Sequence, residues 1–145
     1  MNGDFPVDVD GVLDSLRGAQ VVTIFFPILR RSLVIDTRAT AEDGPLVRVM
    51  PMVSSPEERL RSLKRLRPHL PRPNSVTIIP WPKQVQSLIS LGVWDVLAAR
   101  LATTGHVRSV KALHRAIRNL RRMEREELRR VISGDTYQTI WRRPR

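Results

Sequence analysis

The strongest constraint on the fold is the stretch Val107–Ile132, whose residues separate into two rows at helical spacing. Cations recur at alternating steps of three and four residues, which places them along one side of a helix. This cationic row consists of Arg108, Lys111, Arg115, Arg118, Arg122, Arg125 and Arg129. A second, apolar row consists of Val110, Leu113, Ile117, Leu120, Leu128 and Val131. The pattern predicts an amphipathic helix about 39 Å long that packs its apolar side on a core.

The whole chain is strongly basic. It carries 25 Lys plus Arg against 14 Asp plus Glu, a formal net charge of +11 over 145 residues. Only Lys64, Lys83 and Lys111 are lysines, and arginine is the cation that pairs with phosphate or carboxylate in a planar, bidentate way. A GC-rich genome would also favour arginine codons, but it would not order the cations along one helix side. The charge therefore points to a polyanionic partner.

Length and composition indicate a globular protein. A chain of 145 residues with 41% hydrophobic and 27% charged residues can form one domain with a core. The absence of cysteine excludes disulfides and thiol nucleophiles and suits a reducing compartment, so we expect a cytoplasmic protein. We see no signal peptide in the N-terminal residues and no apolar run of about 18 residues that would predict a membrane span.

The first third of the chain predicts one helix and three strands. The helix covers residues 8–17 and the strands cover residues 20–26, 32–38 and 46–53. The first strand is apolar on both faces and should be central in a sheet. The short link at residues 28–31 favours an antiparallel hairpin, and Pro51 should place the third strand at an edge or a bulge.

The next elements are a helix, a strand and a second helix. A capping signature at Ser55 begins a helix that runs to about Arg67, with Leu60, Leu63 and Leu66 inward and its cations, Arg67 included, outward. A proline-rich connector at residues 68–74 leads to a strand at residues 75–81. A poorly charged helix at residues 82–103, with Gly92 inside it, should be the most buried helix.

The resulting order is α-β-β-β-α-β-α-α. It predicts an α+β fold in which residues 1–145 form a single domain around a mainly antiparallel four-stranded sheet, with the helices on one face. The long basic amphipathic helix lies near the C-terminus, and residues 142–145 should form a flexible basic tail.

Two aspartates near the N-terminus carry a family resemblance. The segment Asp8-Val9-Asp10-Gly11-Val12-Leu13 resembles the nucleophile motif of the haloacid-dehalogenase-like phosphatases, and Gly134-Asp135 resembles a later acidic motif of that family. The resemblance implies that Asp8 attacks phosphorus and that Asp10 acts as acid and base. In that family, however, the nucleophile ends a buried central strand, whereas Asp4 and Pro6 suit no such strand here. We interpret the segment as the start of a helix and leave a catalytic role open.

A second resemblance involves the turn before the basic helix. The segment from Leu97 to Val110, with Thr103-Thr104-Gly105-His106 as its turn, resembles a helix-turn-helix DNA reader. The apolar spacing departs from that motif by about one residue across the turn, and the second helix is longer than a usual recognition helix. We therefore favour an αα-hairpin packed on the sheet.

Other candidate sites are sparse. His69, His106 and His114 lie far apart, and none has a partner at metal-ligand spacing, so we expect no metal and no cofactor. No glycine-rich phosphate loop and no Gly-x-Ser-x-Gly motif occurs. Asp36 and Arg38, at the end of the second strand, suggest either a strand-end site or a cross-strand ion pair, and we favour the ion pair.

The cationic row provides the functional hypothesis. It contains no acid, and like charges at i,i+4 destabilise a helix by about 0.2–0.5 kcal/mol per pair, so we expect anions from another molecule to neutralise it. We predict a small, non-enzymatic protein that binds nucleic acid, RNA or DNA, through these seven residues. The alternatives are an accessory or structural subunit that binds an acidic protein, and an enzyme whose site cannot be read. A membrane surface is disfavoured, because the apolar row lacks aromatic anchors.

Overall fold

The computed structural model describes residues 9–40, 44–51, 56–78, 92–103 and 105–132. These residues form four helices and four strands in the predicted order. The elements are α1 (Val9–Gly18), β1 (Val21–Phe26), β2 (Arg31–Asp36), β3 (Leu46–Pro51), α2 (Pro56–Leu66), β4 (Ser75–Ile78), α3 (Val93–Ala102) and α4 (Val107–Ile132). The fold class is α+β. None of the described helices combines the length and apolarity that crossing a membrane requires.

The four strands form one mixed sheet in the order β3-β2-β1-β4. β1 pairs antiparallel with β2, and β2 antiparallel with β3, but β4 pairs parallel with β1. The prediction of a mainly antiparallel sheet is therefore wrong. The physical reason is the connection through α2, which returns the chain to the end of the sheet where β3 began, so that β4 runs in the same direction as β3 and β1.

Two local predictions about the strands are confirmed. Every residue of β1 is buried, and β1 lies between β2 and β4, as its apolar character on both faces indicates. Pro51 ends β3, which is an edge strand, opposite Arg31 of β2. A proline is tolerated there because an edge strand has ladder positions that need no N–H donor.

Helices cover both faces of the sheet, so the prediction that they share one face is wrong. The main core cluster joins one face to α1, α3 and α4. Its fully buried members are Leu16, Val22, Ile24, Phe26, Leu33, Ile35, Val93, Leu97, Leu101, Leu113 and Leu120. On the opposite face, Leu63 of α2 packs against Val21 and Val34. Both faces need a cover because β1 and β2 present apolar side chains on each of them.

The inward and outward sides of α2 differ from the prediction. Leu63 is buried, as expected, but Leu66 is 44% exposed and Arg67 is only 5% exposed. Arg67 lies just beyond the last residue of the helix and four residues after Leu63, so helical spacing places it on the same inward side as Leu63. The backbone N–H of Arg67 still donates to the carbonyl of Leu63 at 3.0 Å, and its side chain turns into the protein.

The helix predicted at residues 82–103 is also corrected. α3 begins at Val93, because Gly92 has a left-handed backbone with φ +73° and ends any helical run that reaches it. Residues 79–91 and the predicted basic tail at residues 142–145 lie outside the described residues.

The aspartate segment near the N-terminus is helical where the structure describes it. Asp10 and Gly11 belong to α1, which confirms the prediction of a helix start and differs from the strand end on which the phosphatase resemblance depends. Asp8 and the Gly134-Asp135 motif lie outside the described residues.

Candidate anion-binding surfaces

α4 is fixed to the core along one side. Leu113 and Leu120 are 0% and 1% exposed and belong to the main core cluster, against which Val110, Ala116 and Ile117 also pack. α3 and α4 pack against each other and on the sheet, which confirms the αα-hairpin interpretation. Leu120 is the last residue of α4 in this cluster, and residues 121–132 continue for about another 18 Å.

The start of α4 is held by the loop that precedes β3. The hydroxyl of Ser109 donates to the carbonyl oxygen of Pro45 at 3.1 Å. The imidazole of His106 lies against Gly44 so closely that a Cβ atom built on this glycine would lie 2.7 Å from Cε1. Gly44 has φ +62°, a conformation that glycine adopts without strain. These contacts set the position of the helix relative to the edge of the sheet.

All seven residues of the cationic row are exposed, as predicted: Arg108, Lys111, Arg115, Arg118, Arg122, Arg125 and Arg129. Within the described part of the chain, none of those from Arg108 to Arg125 forms an ion pair with a carboxylate, whereas Arg129 does have an interaction partner. The row thus combines an anchored helix with cations that, from Arg108 to Arg125, the described acids leave uncompensated.

From Arg108 to Arg125, no described glutamate of α4 forms an ion pair with the row. Glu127 pairs with Arg130, which is not a member of the row, and Arg122 forms no ion pair with a described residue. Glu124 is half-buried just after the last core residue, and its Oε2 has no hydrogen-bond partner among the described residues. Burial raises the pKa of Glu124, and the positive charge of Arg121 acts in the opposite direction.

A second group of charges lies at the far end of β2. Asp36 is completely buried and accepts bonds from two guanidinium groups. Nη2 of Arg38 lies 2.9 Å from Oδ2 and Nε lies 3.0 Å from Oδ1, while Nη1 of Arg67 lies 2.8 Å from Oδ2. The ion pair favoured from the sequence is therefore present, but its partners are the residue two positions along and a residue beyond α2, not a cation on a neighbouring strand.

The two arginines also bind backbone oxygens. Arg38 donates from Nη1 to the carbonyl of Pro71 at 2.7 Å, and Arg67 donates to the carbonyls of Arg38 and Gly44. This cluster was missed from the sequence because Arg67 was assigned to an exposed helix side. The available signal was Asp36 itself, since a carboxylate at the end of an otherwise buried strand requires a buried cation.

Beside this cluster lies a cleft between α2 and the connector at residues 68–74. Its cavity volume is about 320 Å³. Its basic lining residues are Arg38, Arg61, Lys64, Arg67 and Arg72. Because α2 and α4 lie on opposite faces of the sheet, these cations do not extend the cationic row. The described residues hence provide two separate basic regions, of which the sequence indicated only the row.

No group of three or more potential metal ligands occurs among the residues that the structure describes. Comparison with protein-family models found no matching family, and comparisons with curated proteins and with solved structures found no significant match.

Proposed function

We propose that this protein binds nucleic acid through the cationic row of α4. The observation that supports the proposal is the exposure of all seven cations on a helix whose opposite side is fixed in the core. The backbone of a fixed helix loses little freedom on binding, whereas the backbone of a disordered basic segment must be ordered at the same time. As a cytoplasmic location is compatible with a chain that has no cysteine, we include it in the proposal.

The dimensions of the row suit a phosphate backbone. Successive cations are three or four residues apart, a rise of about 4.5–6 Å, and the row from Arg108 to Arg129 spans about 32 Å. One turn of duplex DNA covers about 34 Å along its axis, so the row is long enough to reach phosphates on both sides of a groove. Contacts of this kind carry no base-sequence information, and we therefore expect binding that depends on backbone charge.

Salt dependence is the first test. Each neutralised phosphate of a DNA duplex contributes about −0.9 to the slope of log K against log salt, so full use of the row predicts a slope of about −6. Fluorescence anisotropy with labelled duplex DNA, duplex RNA and single strands, from about 50 mM salt upwards, measures this slope. The absence of binding to all of these probes at the lowest salt concentration would reject the proposal.

Charge reversal on α4 is the second test. The triple variant Arg115→Glu, Arg118→Glu, Arg122→Glu should reduce affinity by about 100-fold or more, because contacts with phosphate become repulsive. The matched control is Arg61→Glu, Lys64→Glu, Arg65→Glu, which makes the same change of net charge on α2. Circular dichroism and the thermal midpoint should show that both variants are folded. An equal loss of affinity in the two variants would mean that net charge, not the row, drives binding.

An acidic protein is the second candidate partner, with this chain as an accessory or structural subunit. Met123, which is 36% exposed beyond the last core residue of α4, favours it, because an apolar contact beside cations is typical of a protein interface. Co-purification of one acidic protein in a fixed ratio, lost in the α4 triple variant and insensitive to nuclease, would support this candidate over nucleic acid.

A further inference from the structure

The side chains of Arg38 and Arg67, 10% and 5% exposed, line the cleft beside α2. Arg38 and Arg67 share the single carboxylate of Asp36, so the trio keeps one positive charge. Each guanidinium has five N–H donors, and the contacts among described residues use three on Arg38 and three on Arg67. The donors that remain belong to groups that are largely shielded from water, where an anion is bound more strongly than at the surface.

The rim of the cleft adds three more cations. Arg61 and Lys64 project from α2 and form no ion pair with a described carboxylate, while Arg72 of the connector lies 3.3 Å from Glu57. Glu57 and Arg72 are both exposed, so water weakens their attraction. Five cations against Glu57 and Asp36 leave three uncompensated positive charges in and beneath the cleft.

The remaining walls are apolar. They consist of Leu60, Leu63, Pro68, Leu70, Pro71 and Pro73. Proline rings and leucine side chains form a surface on which a planar ring can lie, and the volume of about 320 Å³ is at the small end of the range for ligand pockets. The cleft thus combines an anion subsite with an apolar wall, which differs from the open, all-cationic row of α4.

We propose that this cleft binds a small diphosphate-bearing molecule whose other part is a ring, of the size of a nucleoside diphosphate. The diphosphate, with a charge of about −3, matches the excess charge of the cleft and accepts donors from Arg61, Lys64 and the buried arginine pair. The ring lies against the leucine and proline wall. The site is independent of nucleic-acid binding by α4, because the two regions occupy opposite faces of the sheet.

Isothermal titration calorimetry of the full chain tests the proposal with four probes: ADP, pyrophosphate, orthophosphate and adenosine. We expect ADP to bind most tightly, pyrophosphate more weakly because it lacks the ring, and orthophosphate and adenosine more weakly still. Arg61→Glu and Lys64→Glu should each reduce the affinity for ADP at least about tenfold, by removing one charge-assisted contact. Arg65→Glu is the matched control: Arg65 is exposed on the same helix but does not line the cleft, and ADP affinity should stay within about twofold.

Three results would overturn the proposal. The first is no heat of binding for any probe at about 1 mM, the concentration range of weak small-molecule binding. The second is an equal loss of ADP affinity in Arg65→Glu and in the cleft variants, which would indicate a diffuse charge effect. The third is displacement of ADP by duplex DNA together with loss of ADP affinity in the α4 triple variant, which would make the cleft part of the nucleic-acid surface. ADP affinity that survives the α4 variant supports the cleft even if α4 proves to bind no nucleic acid.

Discussion

Arg67 donates from Nη1 to Oδ2 of Asp36 at 2.8 Å, and the two side chains are 5% and 0% exposed. This pair joins the end of α2 to the end of β2 on the sheet face opposite α4. Arg67 also donates to the carbonyl of Gly44, the glycine that contacts His106 at the start of α4. One arginine thus connects the cover of one sheet face to the loop that positions the helix on the other.

The substitution Arg67→Ala should destabilise the protein strongly. The substitution leaves Arg38 as the one remaining cation beside the buried carboxylate of Asp36. It also removes the donor to the carbonyl of Gly44. Breaking a buried ion pair in this way costs about 3–5 kcal/mol of folding free energy. Because Arg38 remains, we expect a value near 3 kcal/mol. Urea unfolding followed by circular dichroism measures the change. Arg65→Ala, two positions earlier and exposed, should change the free energy of unfolding by less than about 0.5 kcal/mol. Similar effects of the two substitutions would contradict the structural role of the pair.

Gly44→Ala should be more damaging than Gly105→Ala. Both glycines have positive φ, +62° and +76°, so both substitutions incur the left-handed penalty of about 1–2 kcal/mol. A Cβ on Gly44 would also meet the imidazole of His106, whereas nothing lies within 4 Å of a Cβ on Gly105. In the His106→Ala variant, Gly44→Ala should lower the free energy of unfolding by at least about 0.5 kcal/mol less than it does in the wild type. A double-mutant cycle measures this difference. Additive effects would show that the ring moves aside without cost.

Substitutions by alanine along α4 should distinguish its anchored side from its exposed side by their effects on stability. Leu120 is 1% exposed in the main core cluster, and Leu120→Ala should cost about 2–5 kcal/mol. Met123 on the same helix is 36% exposed, and Met123→Ala should cost less than about 1 kcal/mol. Thermal and chemical unfolding provide both values. If Met123→Ala proved as costly as Leu120→Ala, the helix would be buried on a side where the structure exposes it.

Glu124 should make stability depend on pH. Burial raises its folded-state pKa above the ordinary value, so the folded protein holds the proton more tightly than the unfolded chain does. The resulting stabilisation is complete below the unfolded-state pKa and is lost as pH rises through the folded-state pKa. Glu124→Gln removes this titration. We expect the difference in thermal midpoint, variant minus wild type, to be more positive at neutral pH than in acid. A difference that stays constant across this pH range, or that reverses, would contradict the raised pKa.

Much of the candidate site on α4 was predictable because it depends on local periodicity. Residues three and four positions apart lie on one side of a helix whatever surrounds it, so the sequence predicts both the buried side with Leu113 and Leu120 and the exposed row. The cleft was not predictable in the same way. Its cations come from Arg38, from α2 and from the connector, and only the path of the chain between them brings these residues together.

The sequence by itself determined the order of the described elements, the central position of β1, the placement of Pro51 at an edge or a bulge, and the amphipathic character of α4. These properties follow from side-chain alternation, from the missing N–H of proline and from helical spacing, all of which act over a few residues. Tertiary structure alone decided that the sheet is mixed, that α2 and α4 lie on opposite faces, and that Arg67 is buried. Those features depend on where the connection through α2 returns the chain and on which carboxylate Arg67 then meets. Arg67 and Asp36 are 31 positions apart, so no local sequence pattern contains their interaction.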